Sequence, residues 1–278
     1  MRKGHIVIAL LMTAAGCADA PAVTSADDSV VLVSEAEVPA TDSAVTVEAV
    51  SFIEGADSHE ESFIRVDGKP VLCDIWQDGV FFDGTTLTLD NADIGMLEID
   101  VIEGISLCLR LIGDSSVDIV ELCGMSITLC GDGALTASRI CAEKKDEYSA
   151  MPSVMLNEFA KLVLTDMTEP LNGVGLLLAE GESEIDCASI RAYAITIRGS
   201  AVLNCTLCHA DSSITLKENA TLNALTAQEN TNDYTVYAGE EITLWHHARM
   251  NVQSAAVAAV WSESGDVTLW GEAHIDIV

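Results

Sequence analysis

Downstream of Gly84, apolar and polar residues alternate one by one in short phrases that recur along the chain. The clearest runs Ser126-Ile127-Thr128-Leu129-Cys130-Gly131-Asp132-Gly133-Ala134-Leu135-Thr136-Ala137: an alternating strand, a glycine turn and a second alternating strand. Relatives of its first half are Ala194-Ile195-Thr196-Ile197, Ser213-Ile214-Thr215-Leu216, Glu241-Ile242-Thr243-Leu244 and Asp266-Val267-Thr268-Leu269. A period of two sends Ile127 and Leu129 to one face of a strand and Thr128 to the other.

The apolar triplets begin at Leu87, Leu107, Ile127, Leu162, Leu176, Ile195, Ile214, Ile242 and Val267. One such unit cannot bury its apolar face alone. Stacked units can, and stacking turns the Ile and Leu positions into internal ladders and the Thr positions into an external one. The pattern therefore predicts an all-β solenoid, a parallel β-helix of about nine short coils. A leucine-rich repeat would need Leu-x-x-Leu-x-Leu with an Asn, which is missing, and a β-sandwich gives no reason for a recurring phrase. Order is expected to begin between Ser62 and Gly84, where Asp67-Gly68 and Asp83-Gly84 signal turns. Trp76, Phe81 and Phe82 read there as an N-terminal cap over the stack, so the β-helix domain with its cap is placed at 63–278. Ile275-Asp276-Ile277-Val278 stops in mid-strand pattern, which suggests an uncapped last coil open to homodimer formation.

The first residues follow another grammar. Arg2 and Lys3 precede an apolar run from Ile6 to Met12 that is too short to span a bilayer, and Thr13-Ala14-Ala15-Gly16-Cys17 follows. This is the pattern of a lipoprotein-type signal peptide over 1–16, with Cys17 acylated after cleavage; an ordinary secretory signal cut near Ala18 or Ala20 is the alternative. Either signal implies export. The lipoprotein reading puts the protein on the bacterial membrane by lipid alone, exposed at the cell surface. Residues 17–62 read as an acidic, extended linker, because Ala18 to Ser62 contains no Lys or Arg, many carboxylates and little large apolar surface.

Composition changes this picture in one direction. Lys and Arg number 13 against 44 Asp and Glu, a formal net charge of −31, which excludes nucleic acid as a natural partner. Aromatic residues make up 5% of the chain, so an exposed aromatic stripe would stand out against a core of small aliphatic layers.

Leu87-Thr88-Leu89-Asp90-Asn91-Ala92-Asp93-Ile94, Leu107-Cys108-Leu109-Arg110-Leu111-Ile112-Gly113-Asp114 and Ile127-Thr128-Leu129-Cys130-Gly131-Asp132-Gly133-Ala134-Leu135 together resemble the parallel β-helix surface lipoproteins of anaerobic Firmicutes, the carbohydrate-binding domain-containing family. The resemblance covers roughly residues 80–278. It implies a right-handed helix and binding of plant polysaccharides at the cell surface, notably acidic pectin-like ones, sometimes with calcium. Similar helices carry pectate lyases and polygalacturonases, and the fold alone does not choose among these roles.

Candidate chemistry is thin. Besides Cys17 there are Cys73, Cys108, Cys123, Cys130, Cys141, Cys187, Cys205 and Cys208. They read as small hydrophobes filling ladders, as one or two disulfides, or as a metal site at Cys205-Thr206-Leu207-Cys208. Glu182, Glu184 and Asp186 alternate and would project from one face of a strand, as calcium ligands, as catalytic carboxylates or simply as a solvated outer face. No nucleophile triad can be read from the six histidines. The slot after each triplet holds Asp90, Arg110, Cys130, Thr165, Ala179, Arg198, Lys217, Trp245 and Trp270. Its last four members would form an outer stripe of two cations and two indoles, suited to sugar rings and uronate carboxylates. The leading expectation is non-catalytic polysaccharide binding at the surface. A lyase or hydrolase on the same fold and an adhesive surface protein are the alternatives.

Overall fold

The computed structural model describes residues 64–278 except 101–105, 145–146, 148–149, 226–233 and 255–257. The signal segment, Cys17 and the acidic linker lie outside the described residues. The chain opens with β1 (Ile64–Val66), β2 (Lys69–Pro70) and β3 (Val80–Phe82). Rungs of a parallel β-helix follow. The first three are β4 (Thr86–Asp90) with β5 (Asp93–Asp100), β6 (Ser106–Ile112) with β7 (Asp114–Cys123), and β8 (Ser126–Gly131) with β9 (Ala134–Glu143). The fourth holds β10 (Ser153–Leu156), β11 (Lys161–Leu164) and β12 (Leu171–Asn172). β13 (Val174–Ala179), β14 (Glu184–Cys187) and the start of β15 (Ser189–Ile197) make the fifth. The end of β15, β16 (Val202–Cys205) and β17 (Leu207–Ala210) make the sixth, and β18 (Ser213–Leu216), β19 (Thr221–Leu225) and β20 (Tyr234–Ala238) the seventh. β21 (Glu241–His246), β22 (Arg249–Gln253) and β23 (Ala258–Ser262) form the eighth, and β24 (Val267–Gly271) and β25 (His274–Ile277) the ninth.

Three sides result. The first side stacks β4, β6, β8, β10, β13, the end of β15, β18, β21 and β24 in parallel. The second stacks β5, β7, β9, β11, β14, β16, β19, β22 and β25. In the first three rungs one long strand bends to supply the second and third sides. Burial marks the bend: Val117 and Val120, or Ala137 and Ile140, are successive buried residues three apart instead of two. From the fourth rung the third side has strands of its own, and the start of β15, β17, β20 and β23 pair in sequence.

The interior is built from aliphatic ladders. Leu107, Ile127, Val154, Leu177, Ile195, Ile214 and Ile242 occupy one column of the first side, and Leu109, Leu129, Leu156, Ala179, Ile197, Leu216 and Leu244 the next; all are buried. Each fully buried side chain of this size contributes about 1.5–3 kcal/mol by leaving water. Thr128, Thr196 and Thr215 face out between the columns, as the alternation requires.

Register corrects several sequence assignments. Leu162 lies in β11 on the second side, and the fourth rung of the first side is Val154-Met155-Leu156. Leu176 faces out, its neighbours Leu177 and Ala179 face in, and Leu87 pairs with Leu109, not Leu107. All sides share the same period-two grammar, so an apolar-x-apolar triplet carries no label for its side. The N-terminal cap also differs in composition from its expected form. β1 runs antiparallel along β5 and β3 along β4, with Ile64, Val71 and Val80 buried. Phe82 packs against the core, whereas Trp76 is exposed and stacks on Phe81 at 5.1 Å.

Candidate functional site

With the register known, the outward slot beyond the inner columns of the first side holds Thr88, Arg110 and Cys130 in the first three rungs. Asn157, Glu180, Arg198 and Lys217 follow Leu156, Ala179, Ile197 and Leu216 in the next four, and Trp245 pairs with Trp270 in the last two. Asp90, Thr165 and Ala179 therefore drop out of the stripe, and Arg198, Lys217, Trp245 and Trp270 stay on consecutive rungs. The Arg198 guanidinium is held by Glu180 one rung below. Lys217 is exposed and makes no ion pair among the described residues. The two indoles lie 5.3 Å apart between centroids with 13° between their planes. Coplanar indoles cannot approach so closely, so the rings are offset-stacked, face toward face. They are 37% and 52% exposed, which leaves ring edges and the uncovered part of each face to a ligand.

Glu182, Glu184 and Asp186 do not form the expected calcium cage. Glu182 sits in the turn at Gly181-Glu182, before β14 starts. Glu184 and Asp186 do share a face, but they grip the Lys161 ammonium at 3.0 and 2.8 Å. Burial alone would push the Asp186 carboxyl up; hydrogen bonds from Lys161 and Asn204 outweigh it and hold the group below its ordinary value. The ammonium is already paired with both carboxylates and offsets one of their two negative charges. Among the described residues no group of three or more His, Cys, Asp or Glu side chains could hold a metal ion.

The same carboxylate starts a polar ladder absent from the sequence reading. Asn204 donates to Asp186 at 2.7 Å, Asn223 to Asn204 at 2.8 Å and Asn251 to Asn223 at 2.7 Å. The signal was available in Leu203-Asn204-Cys205, Leu222-Asn223-Ala224 and Met250-Asn251-Val252, an apolar-Asn-apolar phrase on the second side.

The eight cysteines beyond Cys17 are free thiols. Cys205 and Cys208 are buried, as ladder fillers are, and the hydrogen bond with the Cys208 thiol, followed by burial, pushes Cys205 far above its ordinary value. Cys108 and Cys130 face out diagonally with Sγ atoms 2.8 Å apart, and burial followed by that contact pushes Cys130 up to about 12.

A concavity lies on the third side. The described pairings join β12 to β9 below and the start of β15 to β17 above; between β12–β13 and the start of β15 the ladder is reduced to Val174 with Ala192. A cleft of about 400 Å³ opens at that narrowing. Across the rungs above it, Arg191, His209, Tyr237 and Trp261 share one outward column. His209 stacks on Tyr237 at 4.5 Å, and Tyr237 lies 4.5 Å from Tyr234. The Tyr237 hydroxyl donates to Glu263, which pushes the phenol up to about 12. Asp211 Oδ1 accepts from Arg191 Nη2 at 3.1 Å and meets His209 Nε2 at 3.0 Å, while His209 Nδ1 lies 3.3 Å from the Tyr234 hydroxyl. Burial lowers the pKa of His209 despite the carboxylate beside it. At neutral pH the ring is therefore uncharged, with Nε2–H donating to Asp211 and Nδ1 accepting from Tyr234. The sequence reading assigned no such grouping, although Ile190-Arg191-Ala192, Cys208-His209-Ala210 and Val236-Tyr237-Ala238 repeat one phrase with a large planar group at its centre.

No family model, curated protein or solved structure matches the chain.

Proposed function

We propose that this protein binds a polysaccharide on the outside of its solenoid without cleaving it, as a surface lipoprotein tethered through Cys17. One observation carries the binding reading: Lys217, Trp245 and Trp270 stand on successive rungs of a regular surface, with two exposed, offset-stacked indoles in a chain where aromatics are 5% of residues. Paired parallel strands repeat at about 4.8 Å, so the stripe spans more than one sugar unit along the axis. Exposed indole offers apolar surface to the C–H face of a pyranose. Lys217 is the cation best placed for a uronate carboxylate, since Arg198 is already paired. Calcium enters this reading through none of Glu182, Glu184 or Asp186.

A panel of neutral and acidic polysaccharides titrated against the full chain, with and without added salt, tests the proposal. The parent is expected to bind at least one polymer, with no new chain ends released. Trp245→Ala/Trp270→Ala should weaken that binding by about tenfold or more, given the worth of two aromatic contacts. Failure of the parent to bind any polymer removes the reading, and release of shortened or unsaturated products replaces it with an enzymatic one. For the anchor, Cys17→Ala should move the expressed protein from the detergent phase to the aqueous phase on partition; a wild-type protein already in the aqueous phase removes it.

A further inference from the structure

The stripe on the first side leaves the third-side cleft unexplained. Its volume of about 400 Å³ falls at the lower end of the range for small-molecule sites, about 300–1,000 Å³. That is room for one or two sugar rings and not for a long polymer. The lining comes from separate rungs: Glu169 from the fourth, Arg191 and Tyr193 from the fifth, His209 and Asp211 from the sixth, and Tyr234 from the seventh. Stacking alone brings them together.

We propose that this cleft is a second binding site, distinct from the tryptophan stripe, that takes one or two rings of a neutral, polyhydroxylated sugar. Hydrogen bonding supports this chemistry first. Asp211 Oδ1 is occupied by Arg191 and His209, while Oδ2 has no hydrogen-bond partner among the described residues. Nη2 of Arg191 serves Asp211, and its Nε and Nη1 donors have no partner among them either. A carboxylate acceptor and guanidinium donors, fixed side by side, match adjacent hydroxyls, each of which both donates and accepts. The neutral His209 locks Asp211 from behind, so the acceptor is oriented before a ligand arrives.

Charge decides the ligand class. Among the described residues, Arg191 is the only cationic side chain lining the cleft, against Glu169 and Asp211, and His209 is uncharged. A uronate or phosphate would meet a net negative wall with its single guanidinium already shared. A neutral sugar faces no such opposition. Apolar contact comes from Tyr193, 53% exposed on the cleft wall, and from Tyr234, whose ring is braced by Tyr237 and His209. An ion pair serving only stability would also be poorly placed here: the side chains of Arg191 and Asp211 are 68% and 44% exposed, and such pairs contribute little.

Titration calorimetry of the full chain with glucose, galactose, mannose, xylose and their β-linked disaccharides, alongside galacturonate and glucosamine, tests this assignment. One of the neutral sugars is expected to bind with a Kd of about a millimolar, the scale that a small, well-contacted ligand reaches. Galacturonate should bind at least tenfold more weakly. Tyr193→Ala, at an exposed position that tolerates truncation, and Asp211→Asn should each weaken the sugar at least tenfold with an unchanged circular dichroism spectrum. Trp245→Ala/Trp270→Ala should leave it intact, so this site and the stripe fail independently. The assignment is overturned by absence of saturable binding of every neutral sugar, by preference for galacturonate or glucosamine, or by binding that survives Tyr193→Ala.

Discussion

Single residues in this solenoid are fixed by what lies one rung away. Gly131 has φ +103°, and a Cβ there would meet the Leu111 carbonyl oxygen at 2.4 Å. Backbone of the rung below cannot yield as a side chain tip can. Gly131→Ala should therefore cost about 1–3 kcal/mol, read as a lower urea midpoint with unchanged slope. The Lys161–Asp186 contact also crosses rungs, and it makes a pH prediction. The folded-state pKa of Asp186 lies below its ordinary value. Its contribution is therefore present above the ordinary carboxylate range and is lost as pH falls through the folded value. These side chains are more than a third exposed or close to it, so Lys161→Met should cost only about 1 kcal/mol or less at pH 7. The cost should shrink toward zero in acid; a thermal-melt difference that grows below pH 4 would contradict this account.

Elements are short, and their strength comes from columns of like residues. Leu222 is fully buried, with Leu203 below and Met250 above, while Asn223 faces out and bonds to Asn204 and Asn251. Leu222→Ala should cost about 2–5 kcal/mol for the lost burial and the cavity left behind. Asn223→Ala should cost about 1–3 kcal/mol, two net hydrogen bonds, and chemical denaturation of both variants checks the order. This contrast also marks what was legible in the sequence. Inward and outward positions could be read because Ile127-Thr128-Leu129 alternates in only one way. The three sides could not, because Leu162-Val163-Leu164 obeys the same alternation on another side. A subtler mark existed at the corners, where Ala137 to Ile140 and Ala192 to Ile195 skip a step between buried residues. The stripe of Arg198, Lys217, Trp245 and Trp270 survived register because its four phrases share one clean parity. The acidic run failed as a metal site because its partner, Lys161, comes from the previous rung, which no local pattern reveals. The cleft was invisible for the same reason: Arg191, His209, Asp211 and Tyr234 are neighbours only after stacking.

At the scale of the whole solenoid, each rung touches mainly the next, so local stability follows the continuity of the ladders. The first and second sides are hydrogen-bonded from the first rung to the ninth, whereas the third narrows at the start of β15 to the pairing of Val174 with Ala192. Opening Ser189–Arg191 requires breaking strand pairing with β17 alone, while opening Leu176–Ala179 requires breaking pairing with both β10 and β15. Native-state hydrogen exchange should therefore protect Leu176–Ala179 more strongly than Ser189–Arg191, although both segments lie in the fifth rung. The difference belongs to the narrowing and not to sequence, since Ile190 and Ala192 are as buried as Leu177 and Ala179. A sugar seated in the cleft would bridge the narrowed rungs through Arg191 and Asp211. Its binding should then slow exchange in Ser189–Arg191 and leave Leu176–Ala179 unchanged. Equal protection of the two segments without sugar would show that the ladder closes in solution, and with it the cleft.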